Sequence, residues 1–373
     1  MTISTQVLHR QGDFVLDVSF EAGGGVTALF GPSGSGKTSL VQMIAGLTRP
    51  DDARISFDGN VWNDTDKRLF VPPHRRRIGY VFQEGRLFPH LTARQNLLYG
   101  RFFAPRGDIR ISEPEVVELL GIGKLLDQRP VTLSGGEKQR VAIGRALLSA
   151  PRLILMDEPL SALDRSRRQE ILPYIERIRD EVKIPIIYVS HALDEVARLA
   201  NRVVLLEDGK VRAHGTPQDV FPELQSGQDG MAPQSILHAR IVGHEAHFGL
   251  SMAEIGDDVV TLQPVDLPDG TPVRIRVAAT DVMIALARHA DLSALNQLPG
   301  TVSGMEADGH HVLVTLDCHG QRLAARITLL SAERLGLRPG AQVYALFKAV
   351  AVDGASVYRA PVSSVGDESS TAR

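Results

Sequence analysis

The sequence predicts an α/β domain built on a mostly parallel sheet, followed by a smaller all-β part. Up to about residue 215, short apolar runs alternate with longer amphipathic segments, which is typical of strands and helices around a parallel sheet. Beyond about residue 235, short β-rich runs recur between Gly, Pro and Asp turns, and this spacing favours one or two small β-barrels. A chain of 373 residues is long enough for two or three domains.

The elements of the α/β part follow the apolar runs in chain order. The alternation in residues 14–20 predicts an antiparallel strand at the flank of the sheet. The apolar face within residues 105–130 predicts a helical insert, and the Pro, Gln, Gly, Asp and Ser content of residues 217–235 predicts a linker. Buried strands are predicted at Val26–Phe30, 152–156, 186–189 and 203–206, a helix at Lys37–Ala45, and C-terminal strands at 239–242, 259–262, 273–277, 312–316, 322–327 and 343–352.

Composition and charge exclude several classes of protein. The 41 Lys and Arg residues nearly balance 44 Asp and Glu residues, and the net charge of −3 gives no bulk field for nucleic acid, so nucleic acid is not expected as a partner. The one cysteine, Cys318, excludes an internal disulfide framework and favours a reducing compartment. No apolar stretch approaches the ~18 residues of a membrane span. Any anion site must be local, and attachment to a membrane would need another chain.

A phosphate-binding loop pattern lies between the predicted strand Val26–Phe30 and the predicted helix Lys37–Ala45. Its glycines let the backbone curl so that N–H groups point at phosphate oxygens, and the helix N-terminus adds positive potential. Lys37 can reach the β- and γ-phosphates, and the Thr38 hydroxyl can bind Mg²⁺. The alternative is a plain Gly/Ser turn before a helix. The pattern comprises Gly31, Pro32, Ser33, Gly34, Ser35, Gly36, Lys37 and Thr38.

Two carboxylates follow a second apolar run. Residues 153–156 predict a buried strand, and Asp157 and Glu158 stand at its C-terminal end, where ligands bind in open α/β sheets. Asp157 is expected to hold Mg²⁺ through water, and Glu158 to orient or deprotonate an attacking water. For Glu158, the alternative is an acidic helix N-cap.

Residues 133–140, Leu-Ser-Gly-Gly-Glu-Lys-Gln-Arg, resemble the signature sequence of ATP-binding cassette ATPases. The resemblance implies a P-loop NTPase core of the ABC type, with antiparallel β and helical subdomains, that hydrolyses ATP with Mg²⁺. It also implies a head-to-tail homodimer in which Ser134, Gly135 and Gly136 of one subunit face the γ-phosphate held by Lys37 of the other. A Ser, two glycines and a helix N-terminus suit an anion physically. One subunit would then carry half of each site.

The same resemblance assigns roles to four further positions. Gln83 would ligate Mg²⁺ and report on a transporter partner, and His191 would contact the γ-phosphate and hold Glu158, so that Lys37, Glu158 and His191 form the catalytic set. Residues 161–164 resemble the loop that connects the two sites of the dimer. Phe14 stands where the family places an aromatic that stacks on adenine. A solvated Gln, a structural His and a core Phe are the corresponding alternatives.

The surroundings of these motifs, at 29–37, 72–90 and 133–148, resemble the ATP-binding subunit of bacterial molybdate importers. This implies a peripheral protein on the cytoplasmic face of the inner membrane, whose partners are permease subunits and, through them, an extracytoplasmic molybdate-binding protein. The apolar pair Leu87 and Phe88 beside Gln83 is expected to be exposed and is the candidate docking surface for the permease. The basic run 74–77 is interpreted as a solvated turn, since no aromatic residues are interleaved with it.

In the C-terminal part, about residues 293–352 resemble the small OB-like β-barrel module of molybdate-binding proteins, through the segments 298–302, 322–328, 335–340 and 343–348. Related modules bind tetrahedral oxyanions between subunits, so the resemblance makes Ser293, Ser303, Thr328 and Lys348 candidate oxyanion ligands. A purely structural role, such as packing two subunits together, is the alternative. The predicted domains are 1–230 for the ATPase, 231–292 for a β-rich connecting segment, 293–358 for the barrel and 359–373 for a disordered tail.

Three other functions fit parts of the sequence. The nearest is the ATPase subunit of a related importer, for tungstate, sulfate, polyamine or sugar, because those families share the cassette and a similar barrel. A non-transport ABC ATPase of DNA repair or translation usually carries two cassettes or long coiled-coil insertions, and this sequence shows neither. An oxyanion storage protein would leave the ATPase motifs unexplained.

Overall fold

The structure is a computed structural model that describes residues 1–104, 111–221, 233–352 and 356–361. The chain divides into two compact units, whose main segments are Met1–His214 and Gly215–Ala360. Among these described residues, no helix combines the length and the apolar character needed to cross a membrane. The predicted domain boundaries at residues 230, 292 and 358 stay predictions.

One large mixed sheet forms the centre of the first unit, with eleven strands among the described residues. The strands lie in the order β6-β5-β4-β1-β2-β11-β10-β3-β9-β8-β7. Their bounds are β1 Ile3–Gln11, β2 Phe14–Ala22, β3 Val26–Phe30, β4 Asp52–Phe57, β5 Asn60–Asp64, β6 Leu69–Phe70, β7 Ile78–Val81, β8 Leu153–Asp157, β9 Ile186–Ser190, β10 Arg202–Glu207 and β11 Lys210–Gly215.

The strands β10, β3, β9, β8 and β7 pair in parallel. Every residue of β3, β8 and β9 is buried, as expected for strands covered on both faces, and this is why they are mostly apolar, with Thr27, Asp157 and Ser190 as the exceptions. The predicted strand Val26–Phe30 is confirmed at both ends. The other predicted strands of this half are confirmed with ends that move by one residue.

The other half of the sheet is antiparallel. The predicted flanking strand at residues 14–20 is confirmed as β2, which pairs with β1 along its whole length. In β2 the buried and exposed positions alternate, because only one face of the strand packs against the core. A single parallel bridge, Lys210 to Asp17, joins β11 to β2 and connects the two halves of the sheet.

Helices of the first unit cover this sheet. The helix predicted at Lys37–Ala45 is confirmed, and the predicted helical insert contains a helix that begins after a capping box of Ser112 and Glu115. Residues 105–110 of that insert lie outside the described residues. The helices are α1 Lys37–Ala45, α2 Pro73–Arg76, α3 Ala93–Tyr99, α4 Glu113–Leu119, α5 Gly135–Leu148, α6 Arg165–Arg177 (continued by a π-helical turn, Ile178–Val182) and α7 Leu193–Leu199.

The second unit is all-β, as predicted, and contains two five-stranded sheets among its described residues, β14-β13-β12-β15-β21 and β16-β20-β17-β18-β19. One hydrophobic core lies between them. The strands are β12 Gln234–Glu245, β13 Leu250–Ile255, β14 Asp258–Leu262, β15 Pro272–Ala278, β16 Met283–Ala285, β17 Asn296–Asp308, β18 His311–Cys318, β19 Gln321–Thr328, β20 Gln342–Phe347 and β21 Val357–Arg359, with helices α8 Pro217–Val220 and α9 Leu329–Arg334.

The two sheets exchange strands across the predicted boundary at residue 292. β16, from the predicted connecting segment, pairs with β20, and β21, at the end of the predicted barrel, pairs with β15. Each sheet therefore draws on both segments. Neither segment could complete its own sheet or bury its own apolar face in this arrangement.

Two smaller expectations need correction. The predicted linker begins with a helix, because Thr216 and Asp219 form a capping box around α8, and it ends where β12 begins at Gln234; residues 222–232 lie outside the described residues. The strand predicted at 343–352 stops at Phe347, where the chain turns into a 3₁₀ segment, Ala349–Ala351. Of the predicted tail, residues 362–373 lie outside the described residues.

The basic run at residues 74–77 is exposed at His74 and Arg75, but the interpretation of the run as a solvated turn is wrong for Arg76. The Arg76 side chain is buried, with 1% of its surface exposed. Its guanidinium donates hydrogen bonds to the carbonyl oxygens of Met43 (2.9 Å) and Ile44 (2.7 Å) at the end of α1, and to the Val71 carbonyl oxygen (2.7 Å). A cation is favoured there because the last carbonyls of a helix are unpaired and carry partial negative charge.

Two aromatic rings complete the surroundings of Arg76. Its guanidinium carbon lies 5.0 Å from the Phe70 ring centroid and 5.9 Å from that of Trp62, within the range of cation–π attraction. Burial lowers the pKa of Arg76 to about 10, so the side chain stays charged at neutral pH. Arg76 thus fixes the C-terminal end of α1, the helix whose other end carries the phosphate-binding loop.

We expect Arg76→Ala to lower the free energy of unfolding by roughly 2–4 kcal/mol, because three buried carbonyl oxygens lose a charged donor. Urea unfolding followed by the fluorescence of Trp62, the one tryptophan of the chain, measures this change. Arg75→Ala is the matched control: Arg75 is exposed, and its loss should change the free energy by less than about 0.5 kcal/mol. Equal stability of the two variants would contradict the role of Arg76.

Candidate functional site

The phosphate-binding loop leaves β3 and enters α1 through backbone conformations that need glycine. Gly31 has φ 148°, and a Cβ there would lie 2.0 Å from the Leu206 carbonyl oxygen. Gly36 has φ 95°, and its Cβ would lie 2.6 Å from a methyl carbon of Leu16. Because backbone and core leave no room at these positions, side chains are excluded and the loop can curl tightly.

Lys37 lies inside this curl. Its ammonium donates hydrogen bonds to the carbonyl oxygens of Gly31 (2.8 Å) and Pro32 (2.7 Å) and to the Ser35 hydroxyl (3.2 Å). The residue is 5% exposed. Burial lowers the pKa of Lys37, and the charges of Glu158 and Asp157 oppose that shift. The three hydrogen bonds hold the cation at the centre of the loop.

A cavity of about 430 Å³ opens in front of the loop. Gly36 is the N-cap of α1 and has no side chain, so no side-chain oxygen caps the N–H groups of the first turn. Such N–H groups and the helix dipole favour an anion. The cavity is lined by Gln11, Phe14, Ser33, Gly34, Gly36, Lys37, Thr38, Ser39 and Glu158.

Asp157, Thr38 and Tyr80 form the polar group that can hold a metal ion. The Thr38 hydroxyl donates to Asp157 Oδ1 (2.9 Å), and the Tyr80 hydroxyl donates to Asp157 Oδ2 (3.0 Å). Burial raises the pKa of Asp157, and the two hydroxyl donors act against that shift. Hydroxyl and carboxylate oxygens are the donors that Mg²⁺ prefers, so this set fits Mg²⁺.

Glu158 and His191 follow neighbouring strands, β8 and β9. His191 Nδ1 lies 3.3 Å from Glu158 Oε1, and the role of His191 in holding the carboxylate stays a prediction. Glu158 adopts a left-handed conformation, φ 44°, and its backbone N–H donates to the Val189 carbonyl oxygen. The alternative role, an acidic helix N-cap, does not apply, because Asp164 caps α6.

Phe14 begins β2 and is half-buried between the core and the cavity. Its ring lines the cavity beside Gly36, and it also packs against the core around β1 and β2. Stacking on adenine stays a prediction for this residue. Gln11, at the end of β1, lines the same cavity and carried no signal in the sequence.

The signature residues lie apart from this cavity within one chain. Ser134 caps α5: its hydroxyl accepts from the Glu137 N–H (3.3 Å), and its own N–H donates to the Glu137 carboxylate (2.8 Å). Ser134 and Gly135 are exposed, whereas Gly136 is buried. None of the three lines the cavity in front of the loop.

Gln83 also lies elsewhere. It is exposed and lines a second cavity of about 460 Å³, to which Leu87 and Gly135 also contribute. Within the described part of the chain, the structure does not bring Gln83 to the cavity that holds Lys37 and Thr38. A role for Gln83 as a Mg²⁺ ligand stays a prediction.

The apolar pair Leu87 and Phe88 is half-buried rather than exposed, which corrects the expectation from the sequence. The ring centroids of Phe88 and Tyr99 lie 4.3 Å apart. The guanidinium carbon of Arg145 lies 5.3 Å from the Phe88 ring centroid. Leu87 packs partly against the core and lines the second cavity. Leu87, and not the pair, is available at that surface.

The four oxyanion candidates do not form one site within the chain. Thr328 ends β19 opposite His311, near the Asp308 end of β17, whereas Lys348 follows Phe347, which pairs with Asn296 at the other end of β17. At about 3.3 Å per residue, the 13 residues of β17 separate those ends by roughly 40 Å. The Thr328 hydroxyl caps α9, and the Ser303 hydroxyl donates to a carbonyl oxygen of β18. All four residues, Ser293 included, are exposed.

Tyr80 is the residue of the site that sequence reasoning missed. It lies in β7, which pairs with β8 so that Tyr80 stands opposite Leu155, two residues before Asp157. The sequence contains no signal that β7 is the neighbour of β8, because β7 and β8 are more than 70 residues apart along the chain. Only the strand order places the Tyr80 hydroxyl beside the carboxylate.

The chain is similar to known families and proteins. A family model described as ABC transporter matches residues 15–161, and one described as TOBE domain matches residues 292–353. Proteins named molybdenum import ATP-binding protein ModC are 51% identical in Rhizobium etli and in Rhizobium meliloti, covering 95% of this chain and 100% of those relatives. The protein of that name in Mesorhizobium japonicum is 49% identical over 95% of this chain and 97% of its own length.

Solved structures match as well. One, a dimeric bacterial ABC transporter cassette, is 28% identical, covers 58% of this chain and 98% of its own, and has a TM-score of 0.48.

A glycine loop that encloses a buried lysine, beside two carboxylates at the end of a parallel sheet, is the arrangement of a P-loop NTPase. The ABC transporter model over residues 15–161 and the signature sequence at residues 133–140 narrow this to an ATPase of the ATP-binding cassette class. Within that class, identity of about half over 95% of the length settles the family: the chain belongs to the molybdenum import ATP-binding proteins.

We expect Tyr80→Phe to raise the Mg²⁺ concentration needed for MgATP binding roughly tenfold, because Asp157 loses one of the two hydroxyls that orient it. Binding of ATP without Mg²⁺ should stay unchanged. Titration of a fluorescent ATP analogue, with and without Mg²⁺, measures both. Tyr188→Phe is the matched control, since it removes a hydroxyl from a buried tyrosine of β9 that does not bond to Asp157. An unaltered Mg²⁺ requirement in Tyr80→Phe would contradict this role.

Proposed function

We propose that the chain is the ATP-hydrolysing subunit of a bacterial molybdate importer, working as a homodimer on the cytoplasmic face of the inner membrane. ATP hydrolysis is supported by one observation: four side chains lie together at one edge of the parallel sheet, those of Lys37, Asp157, Glu158 and His191. The proteins named as molybdenum importers, half-identical over 95% of the chain, support molybdate as the substrate.

ATP would place its phosphates at the loop and at the N-terminus of α1. Lys37 then exchanges some of its bonds to loop carbonyls for β- and γ-phosphate oxygens, and the loop N–H groups donate to the same anion. Thr38 and Asp157 would hold Mg²⁺, which when bound neutralises charge on the phosphate oxygens. Phe14 and Gln11 face the same cavity and would contact the nucleoside.

Hydrolysis needs a water placed in line with the γ-phosphate. Glu158 lines the cavity and is the carboxylate available to orient that water or accept its proton. His191 Nδ1, 3.3 Å from Glu158, would donate to the carboxylate, and in the imidazolium form Nε2–H would also donate to the γ-phosphate. The water oxygen bonds to phosphorus while a proton of that water passes to Glu158. The bond from phosphorus to the ADP oxygen breaks.

A homodimer would complete the site. Ser134 and Gly135 are exposed at the N-terminus of α5 and lie outside the cavity of their own chain, so a second chain would supply them. In that arrangement the Ser134 hydroxyl, which accepts a bond from Glu137, still has its hydrogen free to donate to a phosphate oxygen.

Coupling to transport would run through the second cavity. Gln83 and Leu87 line it, and a permease segment seated there would sense closure of the dimer. The permease, in turn, would receive molybdate from an extracytoplasmic binding protein. The exposed positions of Ser293, Ser303, Thr328 and Lys348 are compatible with an oxyanion site shared between two chains, and also with a structural role for the second unit.

Glu158→Gln should bind ATP with nearly unchanged affinity and lose turnover by roughly 10²–10⁴-fold, because the amide cannot accept the proton of the water. It should also form a dimer with MgATP in analytical ultracentrifugation. Lys37→Ala is the comparison: it should bind ATP weakly and stay monomeric. A wild-type chain that hydrolyses ATP as a monomer at every concentration would contradict the shared site.

Uptake of labelled molybdate tests the transport function. Cells that contain the permease and this chain should take up molybdate, and cells with the chain removed or carrying Lys37→Ala should not. Tungstate should compete with molybdate, because both are tetrahedral dianions of nearly equal size, whereas sulfate in equal amount should not. Uptake that is independent of the chain, or that sulfate abolishes, would contradict molybdate as the substrate.

A further inference from the structure

The carboxylate of Glu195, four residues after His191 in the chain, is buried and does not line the cavity in front of the phosphate-binding loop. Glu195, in the first turn of α7, is 3% exposed. Its Oε2 accepts hydrogen bonds from the Tyr188 hydroxyl (2.8 Å) and from the Ser190 hydroxyl (2.7 Å). Its Oε1 lies 3.4 Å from Arg168 Nε, within ion-pair distance but without hydrogen-bond geometry.

The Ser190 hydroxyl makes a second bond that bears on His191. It accepts from the backbone N–H of Ala192 (3.0 Å), while it donates to Glu195. The residues before and after His191 are therefore tied to one hydroxyl, and the carboxylate fixes that hydroxyl. This arrangement sets the path of the backbone from which the imidazole reaches Glu158, 3.3 Å away.

Arg168 connects the same carboxylate to another part of the site. It lies in the first turn of α6, and its guanidinium donates to the Leu163 carbonyl oxygen (3.4 Å). Leu163 belongs to residues 161–164, the segment that resembles the connection between the two sites of a dimer. A continuous set of polar contacts thus runs from that segment through Arg168 and Glu195 to the backbone around His191.

Packing alone does not account for this carboxylate. Burial raises the pKa of Glu195, and the hydroxyls of Ser190 and Tyr188 and the charge of Arg168 offset only part of that cost. A well-packed apolar residue at that position would avoid the cost. Buried polar networks of this kind fix orientation, because each member has few ways to satisfy its hydrogen bonds.

We propose that Glu195 is a positioning residue for His191, acting through the Ser190 hydroxyl, and that Arg168 links it to residues 161–164. The inference rests on the proposed ATPase function, since it assigns Glu195 a role in placing the histidine that holds Glu158. If a second chain packed against residues 161–164, the contacts through Arg168 and Glu195 would change the position of His191.

The first test compares two variants, each of which lacks one of the two hydroxyls that donate to the Glu195 carboxylate. Ser190→Ala removes the link to Ala192, whereas Tyr188→Phe removes a bond to Glu195 that does not reach the backbone beside His191. We expect Ser190→Ala to lower kcat roughly tenfold or more, with ATP affinity unchanged, and Tyr188→Phe to keep kcat within about twofold. Ser190→Thr, which keeps the hydroxyl, should restore the rate.

The second test observes His191 directly. In the full chain labelled with ¹³C-histidine, the His191 signal is identified by its loss in His191→Ala. Ser190→Ala and Glu195→Gln should shift that signal, and Tyr188→Phe should leave it in place. If Glu195→Gln fails to fold, Ser190→Ala still gives the answer.

Two results would overturn the inference: a Ser190→Ala chain with normal kcat and an unshifted His191 signal, or a Tyr188→Phe chain that loses as much kcat as Ser190→Ala. A wild-type chain without ATPase activity would instead contradict the proposed function. The His191 signal would then still decide whether Glu195 positions the histidine.

Discussion

The parallel pairing of β3, β9 and β8 is the constraint on which the site depends. In this register Phe30 stands opposite Ser190, and Val189 stands opposite Asp157, so the three strands end at the same edge. The residues that follow them carry the chemistry: the phosphate-binding loop after β3, His191 after β9 and Glu158 after β8. Because the three strands are buried on both faces, they cannot slip without exposing apolar side chains.

Charge is concentrated at this edge although the chain as a whole is nearly neutral. Lys37 is buried, and burial alone would favour its neutral form; the nearby carboxylates Asp157 and Glu158 act against that. The loop carbonyls add partial negative charge around the ammonium. An incoming triphosphate therefore meets a cation that already lies in the loop, and phosphate oxygens replace some of the loop carbonyls around its ammonium.

Much of this could be predicted from the sequence, because the motifs are local. β3, the loop and α1 follow one another along the chain, and Asp157 and Glu158 end an apolar run. Residues that act across the fold could not be predicted. Tyr80 reaches Asp157 only through strand order, and Arg76 lies buried only because the end of α1 folds against it. The oxyanion candidates show the same limit, since a resemblance in sequence does not say that Thr328 and Lys348 lie at opposite ends of β17.

The N-terminus of α5, which carries Ser134, forms without a nucleotide or a second chain, as the proposed shared site requires. The N-terminus of α5 is stabilised by its own capping box, in which Ser134 and Glu137 satisfy each other's backbone N–H groups. The helix therefore needs no nucleotide to form, and Ser134 can stay exposed at low cost. An anion held by a second chain would add contacts to a helix that is already built, so the nucleotide's binding energy would go into joining the two chains instead of folding either one.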